Sequence, residues 1–336
     1  MVSVIVPVRN ERGYIGAFLD RVFTQIDMPS FEVIVADGLS DDGTRELLDE
    51  RAGQDKRLLV LANEGRIVST GLNAAIRAAR GEVIVRLDVH TDYAPDYLAR
   101  SVAMLKSSGA DNVGGPWRAK GTGYMQSAIA LAFQSPFASG GASSRRVNYE
   151  GPVDSVYLGC WRRDTLLRVG LFDENLVRNQ DDELNLRLIR GGGTVWQSPL
   201  IQSYYHPRSS LLRLFHQYAQ YGYWKVAVIQ KHRLPASVRH LIPAGFVASV
   251  LLLSVAALFS TQAWWVLVAL CSVYFGLCLG LAVLTCRKAG DRKYLPVMPV
   301  VFMAYHLGYG TGFWSGLFDF VLLRRGGRKA YSVLTR

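Results

Sequence analysis

The chain has 336 residues, of which half are apolar and 19% are charged. This composition excludes an intrinsically disordered chain, because disorder requires low hydrophobicity. Four cysteines are too few for a disulfide framework. Three of them, Cys271, Cys278 and Cys286, lie in an apolar stretch, which also excludes a cysteine-based zinc site. At roughly 100–200 residues per domain, the length allows one large domain or two ordinary ones.

The net charge of +11 is unevenly distributed along the chain. Residues 1–190 carry 23 basic and 25 acidic side chains, whereas residues 191–240 carry six basic side chains and no acidic one. Residues 241–336 carry nine basic and two acidic side chains. A nucleic-acid-binding protein that is basic throughout would not divide in this way. Because the excess flanks the most apolar segments, we expect it beside a membrane surface, where a phosphate-rich substrate could also use it.

Strand and helix patterns alternate through residues 1–190. The strand patterns are Val2–Val8, Phe31–Ala36, Leu58–Ala62 and Glu82–Leu87, and the helical patterns are Tyr14–Ile26, Thr44–Arg51 and Thr70–Arg80. Successive strand–helix units predict an α/β fold with a parallel sheet between helices. Ligands bind such sheets beyond the carboxyl ends of the strands, so the residues that follow each strand form the candidate site.

The C-terminal third contains three apolar runs. Residues 241–286 include no Asp, Glu, Lys or Arg over 46 positions. A membrane-spanning helix needs about 20 apolar residues, so we predict two spans, at about 241–260 and 264–285. Basic flanks predict a hairpin with both ends in the cytoplasm. A third run, at about 295–322, is broken by prolines and glycines, and we expect it to be re-entrant or interfacial, with a third full span as the alternative.

The N-terminal segment begins directly with a strand pattern and lacks the basic region of a signal peptide. We therefore expect the domain that precedes the apolar runs to stay in the cytosol.

Polar side chains follow all four predicted strands. They are Asn10, Glu11, Asp37, Asn63, Glu64, Arg66, Asp88 and His90. Each has a structural explanation when taken singly, such as turn formation for Asp37. Asp88 and His90 are more specific, because residues i and i+2 of an extended segment face the same side and could hold one divalent cation. The alternative is that His90 hydrogen-bonds a loop carbonyl.

The chain carries four segments in a fixed order, Val4–Glu11, Val35–Thr44, Arg86–His90 and Asn179–Arg187. Their order and spacing resemble the family 2 glycosyltransferases of the GT-A fold. The resemblance implies a Rossmann-like, mostly parallel GT-A catalytic domain over residues 1–225, followed by a membrane region over 226–336 with transmembrane or interfacial helices. The later segment His306–Phe313 resembles the ExoA-type succinoglycan-biosynthesis branch of the family.

The resemblance also implies a nucleotide-sugar donor, with UDP as the expected nucleotide. Asp37 would accept hydrogen bonds from the uracil edge. The other implied donor-binding residues are Pro7, Asn10, Glu11, Arg66, Asn73 and Asp88. Asp88 and His90 stand where the family has Asp-x-Asp, and would hold Mg²⁺ or Mn²⁺ on the diphosphate. Since His90 replaces the second Asp, the identity of the metal stays open, and an imidazole ligand tilts it towards Mn²⁺.

Asp181 stands at the family's general-base position. A base on the far side of the sugar from the leaving group would take the proton of the acceptor hydroxyl, and a single in-line displacement would invert the anomeric centre. Gln180 replaces the usual Glu of this element. Without the resemblance, the carboxylates at 181–183 are explained by the first turn of a helix, which favours negative charge.

Two further segments resemble acceptor-side elements of the family. Gly159 would let the backbone approach the sugar closely. Trp161 could stack on a sugar face, with a core tryptophan as the alternative. A segment before the first apolar run resembles the family's Gln-x-x-Arg-Trp element and could close over the diphosphate, or form an interfacial amphipathic helix. Its candidate residues are Arg208, Gln220, Trp224 and Lys225.

These features together predict an inverting hexosyltransferase at the cytosolic face of the inner or plasma membrane. Its acceptor would be a glycan on a polyprenyl diphosphate, in exopolysaccharide or surface-glycan biosynthesis, with other biosynthesis proteins as further partners and no nucleic acid. A processive synthase is an alternative, although two or three apolar segments are too few for a channel. Further alternatives are a polyprenyl-phosphate sugar transferase, which needs no carboxylate base, and a non-catalytic membrane scaffold with a nucleotide pocket.

Overall fold

The computed structural model describes residues 1–28, 30–235 and 237–332. They divide into two compact units. The first consists of residues 1–118 and 143–205, and the second consists of residues 119–142 with the described residues from 206 onward.

The strands and helices are as follows in chain order. The strands are β1 (Val2–Val8), β2 (Phe31–Asp37), β3 (Leu58–Ala62), β4 (Val83–Arg86), β5 (Thr91–Tyr93), β6 (Asn112–Gly115), β7 (Arg118–Ala119), β8 (Gly151–Pro152), β9 (Tyr157–Arg162), β10 (Val195–Gln197) and β11 (Ser203–Tyr205). The helices are α1 (Arg12–Phe23), α2 (Thr44–Gln54), α3 (Val68–Ala78), α4 (Tyr97–Ser108), α5 (Tyr124–Gln134), α6 (Pro136–Ser139), α7 (Arg163–Val169), α8 (Gln180–Arg190), α9 (Leu211–His232), α10 (Ile242–Ala256), α11 (Thr261–Lys288), α12 (Met298–Gly316) and α13 (Lys329–Ser332).

Among the described residues, an eight-stranded sheet in the order β3-β2-β1-β4-β9-β6-β10-β8 forms the centre of the first unit. The neighbours β3, β2, β1 and β4 are parallel, and β9 runs antiparallel between β4 and β6. This arrangement confirms the predicted α/β fold with a mostly parallel sheet. The four predicted strands and three predicted helices are present, with ends displaced by at most three residues.

Helices cover both faces of this sheet. Alternate residues of β1 point to opposite sides, so that Val4 and Val6 join one buried cluster and Ile5 joins the other. β1 and β2 are almost continuously apolar because a central parallel strand is buried on both faces. The polar residues of the unit are consequently concentrated where these strands end.

Helices α9 and α12 pack together closely in the second unit. A stripe of glycines on α12 recurs at every fourth position, namely Gly308, Gly312 and Gly316. A Cβ atom added at Gly312 would lie 1.9 Å from the Ala219 carbonyl oxygen on α9. The expectation that glycines break this apolar run is therefore wrong, because they let two helix backbones approach each other within one continuous helix.

Two helices of the described residues are long and apolar enough to cross a membrane, Val238–Ala256 and Thr261–Lys288. Only 11% of the apolar window of each is buried. They match the two predicted spans, displaced by a few residues. The third apolar run differs, since most of α12 is buried against α9 and α10.

The division between the two units does not fall at the predicted residue 225. All of α9 belongs to the second unit, because it packs along the glycine stripe of α12. Residues 119–142 belong there too, and the Tyr305 hydroxyl of α12 donates to the Ile129 carbonyl oxygen of α5 at 3.3 Å.

Candidate active site

Backbone hydrogen bonds bring the carboxyl ends of the parallel strands to one edge of the sheet. The Gly38 amide after β2 donates to Val8 at the end of β1, and the Asn63 amide after β3 donates to Asp37. The Leu87 amide after β4 donates to Ile5 of β1. The polar residues that follow these strands therefore share one edge, as the sequence predicts.

Asp37 and Asn10 organise the loop that follows β2. Asp37 is 1% exposed, and its carboxylate accepts a hydrogen bond from the Ser40 hydroxyl at 2.5 Å. Asn10 has a left-handed backbone with φ of 57°, which directs its side-chain amide to the Asp41 carboxylate at 2.8 Å. Pro7 lies half-buried on β1, opposite Ala36 of β2. The predicted nucleoside-binding residues of β1 and β2 thus lie on adjacent strands.

Glu11 and His90 connect the ends of β1 and β4. Glu11 is buried, and its Oε2 lies 2.8 Å from His90 Nε2. The Tyr14 ring packs edge-on against the imidazole at a centroid distance of 4.6 Å. The partner of Nε2 is thus a carboxylate, and a loop carbonyl as a hydrogen-bond partner of His90 stays a prediction.

Asp88 lies in a turn rather than in an extended segment, so the predicted i, i+2 geometry is wrong in detail. The His90 backbone amide donates to Asp88 Oδ1 at 3.0 Å. The Tyr93 hydroxyl fixes the other side of this turn by accepting from the Asp88 amide at 2.6 Å and donating to the Asp88 carbonyl oxygen at 2.9 Å. The turn nevertheless keeps the carboxylate and the imidazole close in sequence at one strand end.

Asp181 is paired with Arg86, a residue that the sequence does not single out as part of the site. Asp181 lies in the first turn of α8, and Arg86 is the last residue of β4. Burial raises the pKa of the Asp181 carboxyl, the Arg86 guanidinium opposes this, and the charges of Asp182 and Asp88 raise it further. The sequence feature that points to Arg86 is a basic residue at the end of an otherwise apolar, buried strand, because a buried charge needs a partner.

Two other predicted donor contacts have different surroundings. Asn73 is buried on α3, where its amide nitrogen donates to Phe172 and to Glu174, both at 2.8 Å. Its oxygen accepts from the Phe172 amide at 2.9 Å, so Asn73 stabilises the loop after α7 in this structure. Arg66 is exposed and has a left-handed backbone before α3. A phosphate or ribose contact by Arg66 stays a prediction.

Trp161 is a core residue, and the prediction that it stacks on a sugar is wrong. It is 1% exposed and packs edge-on against Phe172 at 6.2 Å. A Cβ atom added at Gly159 would lie 2.3 Å from the Trp161 ring, and Gly159 has a φ of 111°. The glycine is therefore required by tryptophan packing, which replaces sugar approach as its physical reason.

The four predicted residues of the Gln-x-x-Arg-Trp-like segment belong to the second unit. Gln220, Trp224 and Lys225 are buried on α9. The Trp224 indole donates to the Tyr331 carbonyl oxygen at 2.9 Å, which ties this ring to the C-terminal segment. Arg208 precedes α9, and its buried Nε donates to none of the residues that the structure describes. A role of these residues towards an acceptor stays a prediction.

Comparisons with known proteins identify the family of the chain. The family model described as glycosyl transferase family 2 matches residues 3–162. The succinoglycan biosynthesis protein ExoA of Rhizobium meliloti (strain 1021) is 31% identical, over 94% of this chain and 95% of that protein. The chain belongs to glycosyltransferase family 2. It is accordingly a glycosyltransferase of polysaccharide or glycan biosynthesis.

Two further proteins are similar to this glycosyltransferase over most of their length. A Methanococcus voltae protein is named dolichyl N-acetyl-alpha-D-glucosaminyl phosphate 3-beta-D-2,3-diacetamido-2,3-dideoxy-beta-D-glucuronosyltransferase. It is 26% identical, over 94% of this chain and 97% of its own length. The solved mannosyltransferase of Pyrobaculum calidifontis, in complex with GDP-Man and Mn²⁺, superposes with a TM-score of 0.61. Its identity is 20%, and the match covers 92% of this chain and 86% of that one. The second likeness shows the GT-A fold.

The residues of the glycosyltransferase fit an open metal site better than a closed one. Among the residues that the structure describes, no group of three His, Cys, Asp or Glu side chains could hold a metal ion. Mg²⁺ in nucleotide sites is bound through one or two carboxylates, and substrate phosphates complete its shell. His90 Nε2 lies 2.8 Å from Glu11 Oε2. A metal-binding histidine commonly donates its other nitrogen to a carboxylate in this way.

Proposed function

We propose that this family 2 enzyme is an inverting hexosyltransferase that takes a hexose from a UDP-linked donor. The acceptor is a glycan carried on a polyprenyl diphosphate, and the product is an intermediate of an exopolysaccharide or similar surface glycan. The observation that carries the proposal is the convergence of Asp37, Glu11, Asp88 and Asp181 on the carboxyl-end edge of the sheet.

The nucleoside is assigned to the ends of β1 and β2. Asp37 is held by Ser40, so its carboxylate has a fixed direction for accepting the N–H groups of a uracil edge. Pro7, Asn10 and Glu11 lie on the neighbouring strand end, and Asn10 fixes the loop that would cover the base. Arg66, which is exposed beyond β3, supplies a cation for the phosphates.

Asp88 and His90 would hold a divalent cation, Mg²⁺ or Mn²⁺, between the chain and the diphosphate. Such an ion, when bound, neutralises the charge that develops on the departing nucleoside diphosphate. The contribution of this chain is to orient the ligands. The Asp88 turn is fixed by Tyr93, and the imidazole is fixed by Glu11.

Asp181 is assigned as the general base. Its carboxylate would accept the proton of the acceptor hydroxyl as the oxygen attacks the anomeric carbon from the side opposite the diphosphate. A raised pKa makes this carboxylate a better proton acceptor than an ordinary exposed aspartate. One displacement inverts the anomeric centre, so an α-linked donor gives a β-glycoside.

A membrane-bound acceptor is supported by the second unit. Its two candidate spans are flanked by basic residues, and the positive-inside rule assigns such flanks to the cytoplasm. The catalytic unit would then lie on the cytosolic face of the plasma membrane, where nucleotide sugars are made. The Methanococcus relative, whose name specifies a dolichyl-linked acceptor, agrees with a lipid carrier.

The test is transfer from a panel of radiolabelled nucleotide sugars to membrane lipid extract, with and without Mn²⁺. We expect metal-dependent label in the lipid fraction from one UDP-sugar, and loss of at least about 100-fold in Asp88→Asn. The matched control is Asp49→Asn, at an exposed carboxylate on α2. Label without metal, or no label from any donor, would contradict the proposal.

A polyprenyl-phosphate sugar transferase is the second candidate, and the Arg86 pair with Asp181 is the observation that favours it. In that reaction the acceptor is a lipid phosphate that is already ionised, so a carboxylate neutralised by an arginine would be no handicap. Product analysis separates the two reactions: mild acid hydrolysis releases a monosaccharide from a polyprenyl-phosphate sugar, and an oligosaccharide from the proposed product.

A further inference from the structure

Arg86 is a buried cation at the end of the central sheet, and its position calls for an explanation. It is 6% exposed and lies opposite Ile5 of β1, at the end of an otherwise apolar strand. Its Nη1 donates to Asp181 Oδ1, whereas its buried Nε donates to none of the described residues. A buried guanidinium with an unused N–H is costly, so a structural role alone would favour an apolar residue here.

The partner of Arg86 is placed where chemistry is expected. Asp181 lies in the first helical turn of α8, and 34% of its side chain is exposed. Two other carboxylates, Asp182 and Asp88, act on it electrostatically. An aspartate in such surroundings would turn away from the other charges unless a cation fixed its direction.

We propose that Arg86 is the positioning residue of the general base. It fixes the carboxylate of Asp181 at the end of β4, two residues before Asp88, so that a single strand end sets both the base and the donor-binding turn. This inference rests on the proposed function of Asp181. Arg86 itself touches neither donor nor acceptor.

The reaction step shows why such positioning matters. The acceptor O–H bond breaks, its proton passes to Asp181, and the oxygen forms a bond to the anomeric carbon. The bond from that carbon to the diphosphate oxygen breaks, and the nucleoside diphosphate leaves with the electron pair. Arg86 exchanges no proton. It holds one oxygen of the carboxylate, which leaves the other oxygen for the acceptor hydroxyl.

The experiment compares Arg86→Gln, Arg86→Lys, Asp181→Asn and the double variant Arg86→Gln with Asp181→Asn. Steady-state transfer gives kcat, and calorimetric titration with UDP and Mn²⁺ gives nucleotide affinity. General-base catalysis contributes about 10²–10⁴-fold, so we expect Arg86→Gln to lower kcat by about 10²-fold. Nucleotide affinity should change by less than about threefold. Arg86→Lys should lower kcat by about tenfold, less than Arg86→Gln, because it keeps the charge but loses the planar guanidinium.

The double variant is the decisive comparison. If Arg86 acts through Asp181, Arg86→Gln causes no further loss once Asp181 is replaced. If the kcat losses of the two single variants multiply in the double variant, the proposal is overturned. A nucleotide affinity weakened more than about tenfold would also overturn it, because Arg86 would then be a diphosphate ligand instead. Arg80→Gln is the matched control, since it breaks an arginine–carboxylate pair with Glu32 away from the site.

Two further outcomes keep the test independent of folding and of the proposed function. If Arg86→Gln does not fold, Arg86→Lys is introduced into the wild type and into Asp181→Asn. The proposal is supported if Arg86→Lys lowers kcat in the wild type and causes no further loss in Asp181→Asn. An unchanged kcat in Arg86→Lys with an unfolded Arg86→Gln identifies a structural cation and overturns it. Full activity of Asp181→Asn would instead refute the assignment of Asp181 as the base.

Discussion

Each compact unit contains a carboxylate paired with arginine, and the two carboxylates differ in burial and in the number of donors that they accept from. Asp319 is fully buried and accepts hydrogen bonds from Tyr223 at 2.9 Å, Arg325 at 2.7 Å and Arg328 at 2.6 Å. Asp181, in contrast, is one-third exposed, and within the described residues its hydrogen-bonding partner is Arg86.

The pKa values of the two carboxylates are shifted in opposite directions. Burial raises the pKa of Asp319, but the hydrogen bonds from Arg328, Arg325 and Tyr223 outweigh it and lower the pKa. At Asp181, burial and the neighbouring carboxylates outweigh Arg86, and the pKa is raised. A carboxylate saturated with donors is a structural element, whereas a carboxylate short of donors keeps the ability to accept a proton. Asp319 thus belongs to a packing region, whereas the surroundings of Asp181 suit the proposed reacting region.

The largest expected effect tests whether the second unit is built by close packing. In Gly312→Leu the new side chain would begin 1.9 Å from the Ala219 carbonyl oxygen. Separating α9 from α12 to relieve this contact should cost at least about 3 kcal/mol of unfolding free energy. We expect little folded protein in detergent by size-exclusion chromatography. Gly276→Leu on α11 is the control, since a Cβ atom added there meets no other part of the described chain within 4 Å. Equal yields of the two variants would contradict close packing.

The second prediction concerns two separate variants, in which each of these carboxylates is replaced by an amide. Asp181→Asn should lower kcat by about 10²–10⁴-fold and lower the melting temperature less than Asp319→Asn does, because an amide oxygen can still accept from Arg86. Asp319→Asn should do the reverse. An amide cannot satisfy two guanidinium groups, and breaking a buried ion pair costs about 3–5 kcal/mol. Transfer kinetics and thermal unfolding are measured on both variants. If the two variants lose kcat and thermal stability to the same extent, Asp319 and Asp181 do not differ in role.

Much of the first unit could be predicted from the sequence because its signals are local. Continuous apolar runs identify central parallel strands, and the polar residues after them share one edge whatever the details of the loops. Side-chain pairings within that edge could not be predicted in the same way. The contact of Glu11 with His90 depends on the turn that begins at Asp88, and a turn conformation is set by a few backbone angles.

Two wrong expectations have a common physical cause, which is that a residue type does not reveal what it faces. Trp161 is equally suited to a sugar face and to a core, and only the positive φ at Gly159 and the packing against Phe172 decide for the core. Glycine in an apolar run suggests an interrupted helix. Gly312 instead marks the surface on which a second helix lies, and that partner is about 90 residues away in the chain.

A smaller effect is expected from removing the carboxylate that orients His90, the proposed metal ligand. In Glu11→Gln the His90 imidazole loses the carboxylate at 2.8 Å that fixes its orientation. Loss of such a supporting carboxylate typically costs 10–100-fold in metal affinity, so we expect Mn²⁺ binding with UDP to weaken by about tenfold. Electron paramagnetic resonance of free Mn²⁺ measures this without any turnover. Glu46→Gln, at an exposed carboxylate on α2, is the control. Unchanged Mn²⁺ affinity in Glu11→Gln would exclude His90 as a ligand oriented by Glu11.

The smallest effect concerns pH and returns to Asp319. Its pKa is lower in the folded chain than in the unfolded chain, so its stabilising contribution is fully present above the unfolded pKa of about 3.9. That contribution is lost as the pH falls through the lower folded value. The melting temperature of the wild type should therefore fall more steeply below pH 5 than that of Asp319→Asn, which lacks this group. A difference of 1 kcal/mol corresponds to about 2–4 °C in domains of 150–250 residues. Parallel curves for the two proteins would mean that Arg325 and Arg328 do not stabilise the charged form of Asp319, and the contrast with Asp181 would then rest on exposure alone.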